Sequence, residues 1–181
     1  MKKFLSILLA LLMMMSAVSA FAEETAELVP YAAADSGLSF DSFMLPLPSA
    51  GLSILFPADM QIQDLAELQK TNPNAAWAAA NSTLFVELDA TTIDPATTLD
   101  AMVEELNKQE GYTAAKSDLN GMEAIALQAT TDGGTCVGAL FIGTDGYFYQ
   151  FYFYYQDDAG LALANEMIGT LKPYTADAPA A

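Results

Sequence analysis

Tyr147-Phe148-Tyr149-Gln150-Phe151-Tyr152-Phe153-Tyr154-Tyr155 carries an aromatic ring at every position but Gln150. A β-strand points successive side chains to opposite faces, so this run puts rings on both. A strand that is apolar on both faces is covered on both, which demands a layered fold with this strand near its centre. Left exposed, the run would be an aggregation hazard. The alternative use of the rings is recognition: Tyr147, Tyr149, Tyr152 and Tyr154 carry hydroxyls that suit a sugar face or a peptide in a groove.

The segments around it supply candidates for the other layers. Thr83 to Asp89 alternates as a strand, with Leu84, Val86 and Leu88 on one face. Asp94-Pro95 opens a helix in which Leu99, Met102, Val103 and Leu106 recur at helical spacing, Glu104 can pair with Lys108, and Gly111 stands where a C-terminal cap belongs. Strands are expected over Met122 to Thr130, Thr135 to Ile142 and Tyr147 to Tyr155. Asp132-Gly133-Gly134 and Asp145-Gly146 between them favour antiparallel hairpins. Asp157 and Asp158 cap a second helix with Leu161, Ala164, Met167, Ile168 and Leu171 on one side, Lys172 in its last turn and Pro173 ending it. Residues 60 to 82 read as a short helix around Asp64 to Lys70, a turn at Asn72-Pro73-Asn74, and an Ala-rich stretch around Trp77. A sheet with a helix layer on each side satisfies the aromatic strand.

The N-terminus reads as an export signal. Lys2 and Lys3 form a basic start, Phe4 to Met15 an apolar stretch too short to span a bilayer, and Ala20-Phe21-Ala22 a small-x-small cleavage site that leaves Glu23 first. The sole cysteine, Cys136, lies far from that site, which argues against a lipid anchor. The expected organisation is a signal peptide over 1–22, a flexible acidic leader over 23–36, one domain over 37–174 and a disordered tail over 175–181. The product is expected outside the cytoplasm, periplasmic or extracellular, with no membrane anchor after cleavage.

Charge and missing residue types exclude several chemistries. Cleavage would leave four lysines against 23 carboxylates, a formal charge of −19, and there is no arginine. Phosphate-backbone binding needs cations, so nucleic acid is excluded as a partner; the field instead favours cationic partners, metal ions or plain solubility. The absence of histidine removes Ser-His-Asp and Cys-His catalysis. It also leaves too few ligands for structural zinc. No cofactor is expected. With one cysteine there is no internal disulfide, and Cys136 reads as a buried inert thiol or as half of an intermolecular bridge.

Four further features have a structural and a functional reading. Trp77 is a packing anchor or, with the four tyrosines, a ligand contact. Glu87 and Asp89 share a strand face and read as solvated, with no sign of a raised pKa; a carboxylate pair can also perform acid/base work on a glycosidic bond. Asp132, Asp145, Asp157 and Asp158 fit turns and caps, although clustered carboxylates also suit calcium.

In element order the chain resembles the PsbP-like family. The residues carrying this are Gly51-Leu52-Ser53-Ile54-Leu55-Phe56-Pro57-Ala58-Asp59, the helix over 98–109, Leu119-Asn120-Gly121-Met122-Glu123-Ala124 opening a three-strand meander, and Ile168-Gly169-Thr170-Leu171 ending the last helix. Met60 stands where similar bacterial proteins often carry Trp. The resemblance implies an α+β fold, an α/β/α sandwich with a largely antiparallel sheet flanked by helices. It implies no shared reaction, and by analogy favours binding over catalysis. The expectation is therefore an exported, non-enzymatic binding or accessory domain for an extracytoplasmic protein or small ligand. A carboxylate-dependent glycan or peptide hydrolase and a calcium-dependent extracellular module stand as alternatives.

Overall fold

The computed structural model describes residues 29–31, 37–131 and 134–174. The segment read as a signal peptide, with the expected cleavage residues Ala20, Ala22 and Glu23, the expected tail over 175–181, and Asp132 and Gly133 lie outside the described residues.

Fourteen elements are described in this order: β1 (Val29–Tyr31), β2 (Ser42–Leu47), β3 (Leu52–Pro57), β4 (Gln61–Ile62), α1 (Leu65–Leu68), β5 (Ala75–Ala80), β6 (Leu84–Thr92), α2 (Leu99–Leu106), β7 (Tyr112–Leu119), β8 (Met122–Thr131), β9 (Gly134–Ile142), β10 (Tyr147–Tyr155), α3 (Asp158–Ile168) and β11 (Lys172–Pro173). They build an antiparallel seven-stranded sheet, β4-β5-β6-β10-β9-β8-β7, and a smaller sheet, β1-β2-β3-β11. The aromatic strand is central: β10 pairs with β6 along one edge and β9 along the other.

Its two parities serve two different layers. Tyr149, Phe151 and Phe153 are fully buried against Leu52, Ile54 and Phe56 of β3 and against Ala164, Met167 and Leu171 at the α3 end of the chain. On the other face, Phe148 and Tyr152 pack with Leu99, Met102, Val103 and Leu106 of the α2 helix over Ile125, Leu127 and Leu140. The fold is thus α+β with a largely antiparallel sheet between covering layers, as expected. One of those layers combines a helix with a second sheet, because α3 alone is too narrow to hide the seven strands beneath it.

Several local expectations need correction. Val29–Tyr31 lies within the segment read as a flexible leader, yet it pairs with β2. β7 was not anticipated; it joins β8 through Asn120-Gly121, whose φ values of 54° and 87° mark the two-residue hairpin turn that Asn-Gly prefers. Lys108 bonds Glu105 instead of Glu104, since the short last turn of α2 brings position i−3 nearer. Asn107, not Gly111, caps α2, and Gly111 lies beyond it with φ 84°. Lys172 and Pro173 form β11 on β3 instead of closing α3, which ends at Gly169.

Among the described residues no helix is long and apolar enough to cross a membrane. Gly111 accepts a bond from the Thr130 amide, and an added Cβ there would meet the Thr130 carbonyl oxygen at a backbone conformation side chains rarely adopt. Gly111→Ala should lower stability in urea unfolding by about 3 kcal/mol. Phe151→Ala, which empties the core at the central strand, should cost about 4 kcal/mol; a loss below about 1 kcal/mol would contradict the placement of that ring.

Candidate functional site

The seven-stranded sheet carries a polar island on the α2 side of β6 and β10. In the antiparallel register Tyr152 lies opposite Glu87 and Gln150 opposite Asp89, so all four share one face. β5 flanks them with small residues only: Ala75 sits beside Asp89 and Ala78 beside Glu87, both buried. On the far side of Tyr152 stands Gly138 of β9, where a Cβ would lie 2.8 Å from the Phe151 carbonyl oxygen. Small neighbours on both sides leave room for the carboxylates and the phenol ring in an otherwise close-packed sheet.

The turn between α1 and β5 closes over this space. Asp64 caps α1, accepting bonds from the Ala66 and Glu67 amides. After the helix, the Asn72 side chain is oriented by its Oδ1, which accepts from the Asn74 amide. Its Nδ2 then donates to Glu87 Oε1 and to Asp89 Oδ1, both at 2.8 Å. Two 2.8 Å bonds from one nitrogen keep those carboxylate oxygens within 5.6 Å of each other. Glu87 is only 8% exposed and Asp89 is half-buried.

Among the described residues no lysine pairs with either carboxylate. Lys70, Lys108 and Lys116 bond Glu67, Glu105 and Asp100, and Lys172 lies on β11 in the other sheet. Burial therefore dominates at Asp89: it pushes the carboxyl up to about 6, with the Asn72 bond opposing and the Glu87 charge adding to the rise. Burial raises the phenols of Tyr152 and Tyr154 too, and the Asp89 charge adds to both. It likewise raises the Cys136 thiol and the Tyr112 phenol. The Tyr152 hydroxyl donates to Gln150 Oε1 at 2.9 Å, and its ring lies 6.2 Å from that of Tyr154, which lies 5.9 Å from Phe85.

The expectation that Glu87 and Asp89 are solvated is overturned, as is that of an ordinary carboxyl at Asp89. Alternation along one strand cannot reveal that both faces of β6 are covered, and the Asn72 turn completes their enclosure. The five aromatic candidates separate. Tyr152 and Tyr154 lie on the island face. Tyr149 is buried in the opposite core with its hydroxyl on Asp145 Oδ2 at 2.7 Å, Tyr147 packs against that core, and Trp77 stacks edge-on against Phe56 at 5.6 Å. Sequence reading missed Asn72 and Gln150. The signal for Gln150 was present as the single polar break in the aromatic run. Among the described residues no three His, Cys, Asp or Glu side chains converge as metal ligands would, and Cys136 is a buried free thiol.

No protein-family model matches the chain. No curated protein matches it either. Among solved structures it is similar to cyanobacterial PsbP (CyanoP) from Synechocystis sp. PCC 6803, with a TM-score of 0.53 and 12% identity over 72% of this chain and 91% of that one. It also matches a structure from Bacteroides thetaiotaomicron at a TM-score of 0.47 and 17% identity, covering 74% of this chain and about half (48%) of that one. The fold is PsbP-like.

Asp89 gives this site a measurable signature. Its native carboxyl keeps a proton to higher pH than the unfolded chain's ordinary 3.8. The resulting stabilisation is complete below about pH 4 and is lost as the pH rises through about 6, a swing of about 3 kcal/mol at most. Asp89→Asn should therefore match the wild type in stability near pH 4 and exceed it by about 1–3 kcal/mol near pH 7.5. Parallel stability profiles in urea titrations across that range would remove the raised carboxyl.

Proposed function

We propose that the chain is an exported, non-enzymatic binding domain whose contact surface is the Glu87–Asp89 island with Gln150, Tyr152 and Tyr154. Its ligand presents an amine or a basic side chain. One observation carries the reading: two enclosed carboxylates share a single neutral donor, with two half-buried phenol rings on the same face. Among the described residues such a floor lacks a cation, and a half-buried phenol ring beside it could add a cation–π contact to an ammonium group. The acidic composition draws the same class of partner toward the protein. The basic, apolar and small-x-small segments over 1–22 support export, and the PsbP-like fold is compatible with an accessory role outside the cytoplasm.

A second reading has a specific observation behind it. Carboxylates within 5.6 Å of each other, one of them holding a proton to about pH 6, fit the pairing used by retaining glycosidases. Against it, both oxygens that face each other are already engaged by Asn72.

The two readings separate in a titration of isotope-labelled protein with benzylamine, with xylotetraose as the neutral sugar control. Binding predicts amine-dependent shifts at Glu87, Asp89, Gln150 and Tyr152 near pH 7.5, weakened about tenfold or more by Tyr152→Ala. Shifts confined to other faces would refute the site. Release of reducing ends from xylotetraose, abolished by Glu87→Gln, would replace binding with hydrolysis.

A further inference from the structure

A strand at the rim of a sheet pairs its backbone on one side, and its other side is a template for a further strand. Among the described residues three of the four rims are too short to serve: β4 and β11 have two residues each and β1 has three. β7 differs, with eight residues bonded to β8 on one side alone. Gly111 O accepts from Thr130 N. Alternation along an antiparallel pair then turns the backbone groups of Tyr112, Ala114, Lys116 and Asp118 away from β8.

The connection from α2 closes the first half of that outward row. Asn107, the C-cap of α2, sets its carboxamide against Ala114: Oδ1 accepts from the Ala114 amide at 2.8 Å, and Nδ2 donates to the Ala114 carbonyl at 2.9 Å. One side chain thus makes the two bonds that a neighbouring strand would make there. The Tyr112 amide donates to Gln109 O. The small sheet is closed in the same way beyond β11, where Thr170 Oγ1 accepts from the Leu55 amide at 2.9 Å and lies 3.4 Å from the Leu55 carbonyl oxygen. On β7 the outward row continues past Asn107 with Lys116 and Asp118.

We propose that β7 is a self-association edge held shut by the Asn107 carboxamide, and that the partner it fits is an antiparallel β7 of a second copy. The residues beyond Asn107 select that partner. In the register centred on Ser117, Lys116 of each copy stands opposite Asp118 of the other, and both present outward backbone groups, so hydrogen bonds and two opposite-charge contacts form together. Moving the centre to Lys116 sets that charge against itself. The favoured register also carries Asn120 of the second copy to the place beside Ala114 that the Asn107 carboxamide fills. While Asn107 is there, the seam stops at Lys116 and Asp118, too short to hold two copies together. The Lys116–Asp100 bond is exposed at both ends and holds Lys116 back only weakly.

Sedimentation equilibrium of the full chain, combined with amide exchange, tests this edge. The wild type should be monomeric at about 100 μM. Asn107→Ala, which suits the helical backbone of the cap (φ −69°, ψ −9°), should associate into a reversible dimer about tenfold or more tighter than the wild type. Protection of its Lys116 and Asp118 amides should rise about tenfold as the dimer forms. Adding Lys116→Glu sets like charges against Asp118 and should restore the monomer. Asn107→Ser, whose side chain is too short to span both Ala114 groups, should dimerise as Asn107→Ala does and serves as the test if the alanine variant fails to fold. A dimeric wild type, folded Asn107 variants that stay monomeric, association without protection at Lys116 and Asp118, or a dimer that survives Lys116→Glu would overturn the proposal.

Discussion

β10 spends its backbone hydrogen bonds on β6 and β9, so neither of its edges is available to solvent, and its rings fill both faces. That double commitment sets the architecture. Each face of the sheet needs its own cover, and the chain provides α2 on one side and α3 with a four-stranded sheet on the other. Because the described cysteine is a single free thiol, the layers are held by packing and not by cross-links. The fully buried Tyr149, Phe151 and Phe153 each remove well over a hundred square ångströms of apolar surface from water, which makes that side the main stabilising contact.

Burial on both faces is also what makes the polar island costly and therefore informative. A carboxylate on an edge strand or an open face keeps its water. On β6, the third strand of the sheet and the direct partner of β10, Glu87 and Asp89 lose it. The fold accommodates them by thinning its packing locally, with Ala75 and Ala78 on one side and Gly138 on the other, and by lowering Asn72 onto them. At Gly138 even a Cβ would meet the Phe151 carbonyl oxygen at 2.8 Å, so the small residue there is required by the close approach of the strands.

Much of the frame was legible in the sequence. Period-two runs and Gly-containing turns placed β8, β9 and β10 within a residue or two, and Asp157 marked the start of α3 by its capping bond to Gly160. β7 escaped because Tyr112-Thr113-Ala114-Ala115-Lys116-Ser117-Asp118-Leu119 is polar, as an edge strand under a short helix can be; only the Asn120-Gly121 turn gave it away. The site was far less legible. Face sharing between Glu87 and Asp89 follows from spacing alone, but their burial depends on β5 and β10 being the strands on either side. Pairing between segments dozens of residues apart is not written in local periodicity. The same holds for Asn72, which reads as an ordinary turn residue until the register brings it over β6.

Composition and topology converge at that point. In a chain without arginine or histidine, three of the described lysines are paired elsewhere and the fourth, Lys172, lies on the other sheet, so the described residues give this pair of acids no lysine counter-ion. Natural proteins that bury two carboxylates together neutralise them with a cation, a metal, a shared proton or a ligand. The described residues offer the pair no lysine and no converging metal ligands. Among those means, a proton is the one the described residues themselves can supply, and it sits on Asp89. Burial without a counter-ion is what holds the Asp89 carboxyl up near 6, so at acidic pH its own proton supplies the charge balance.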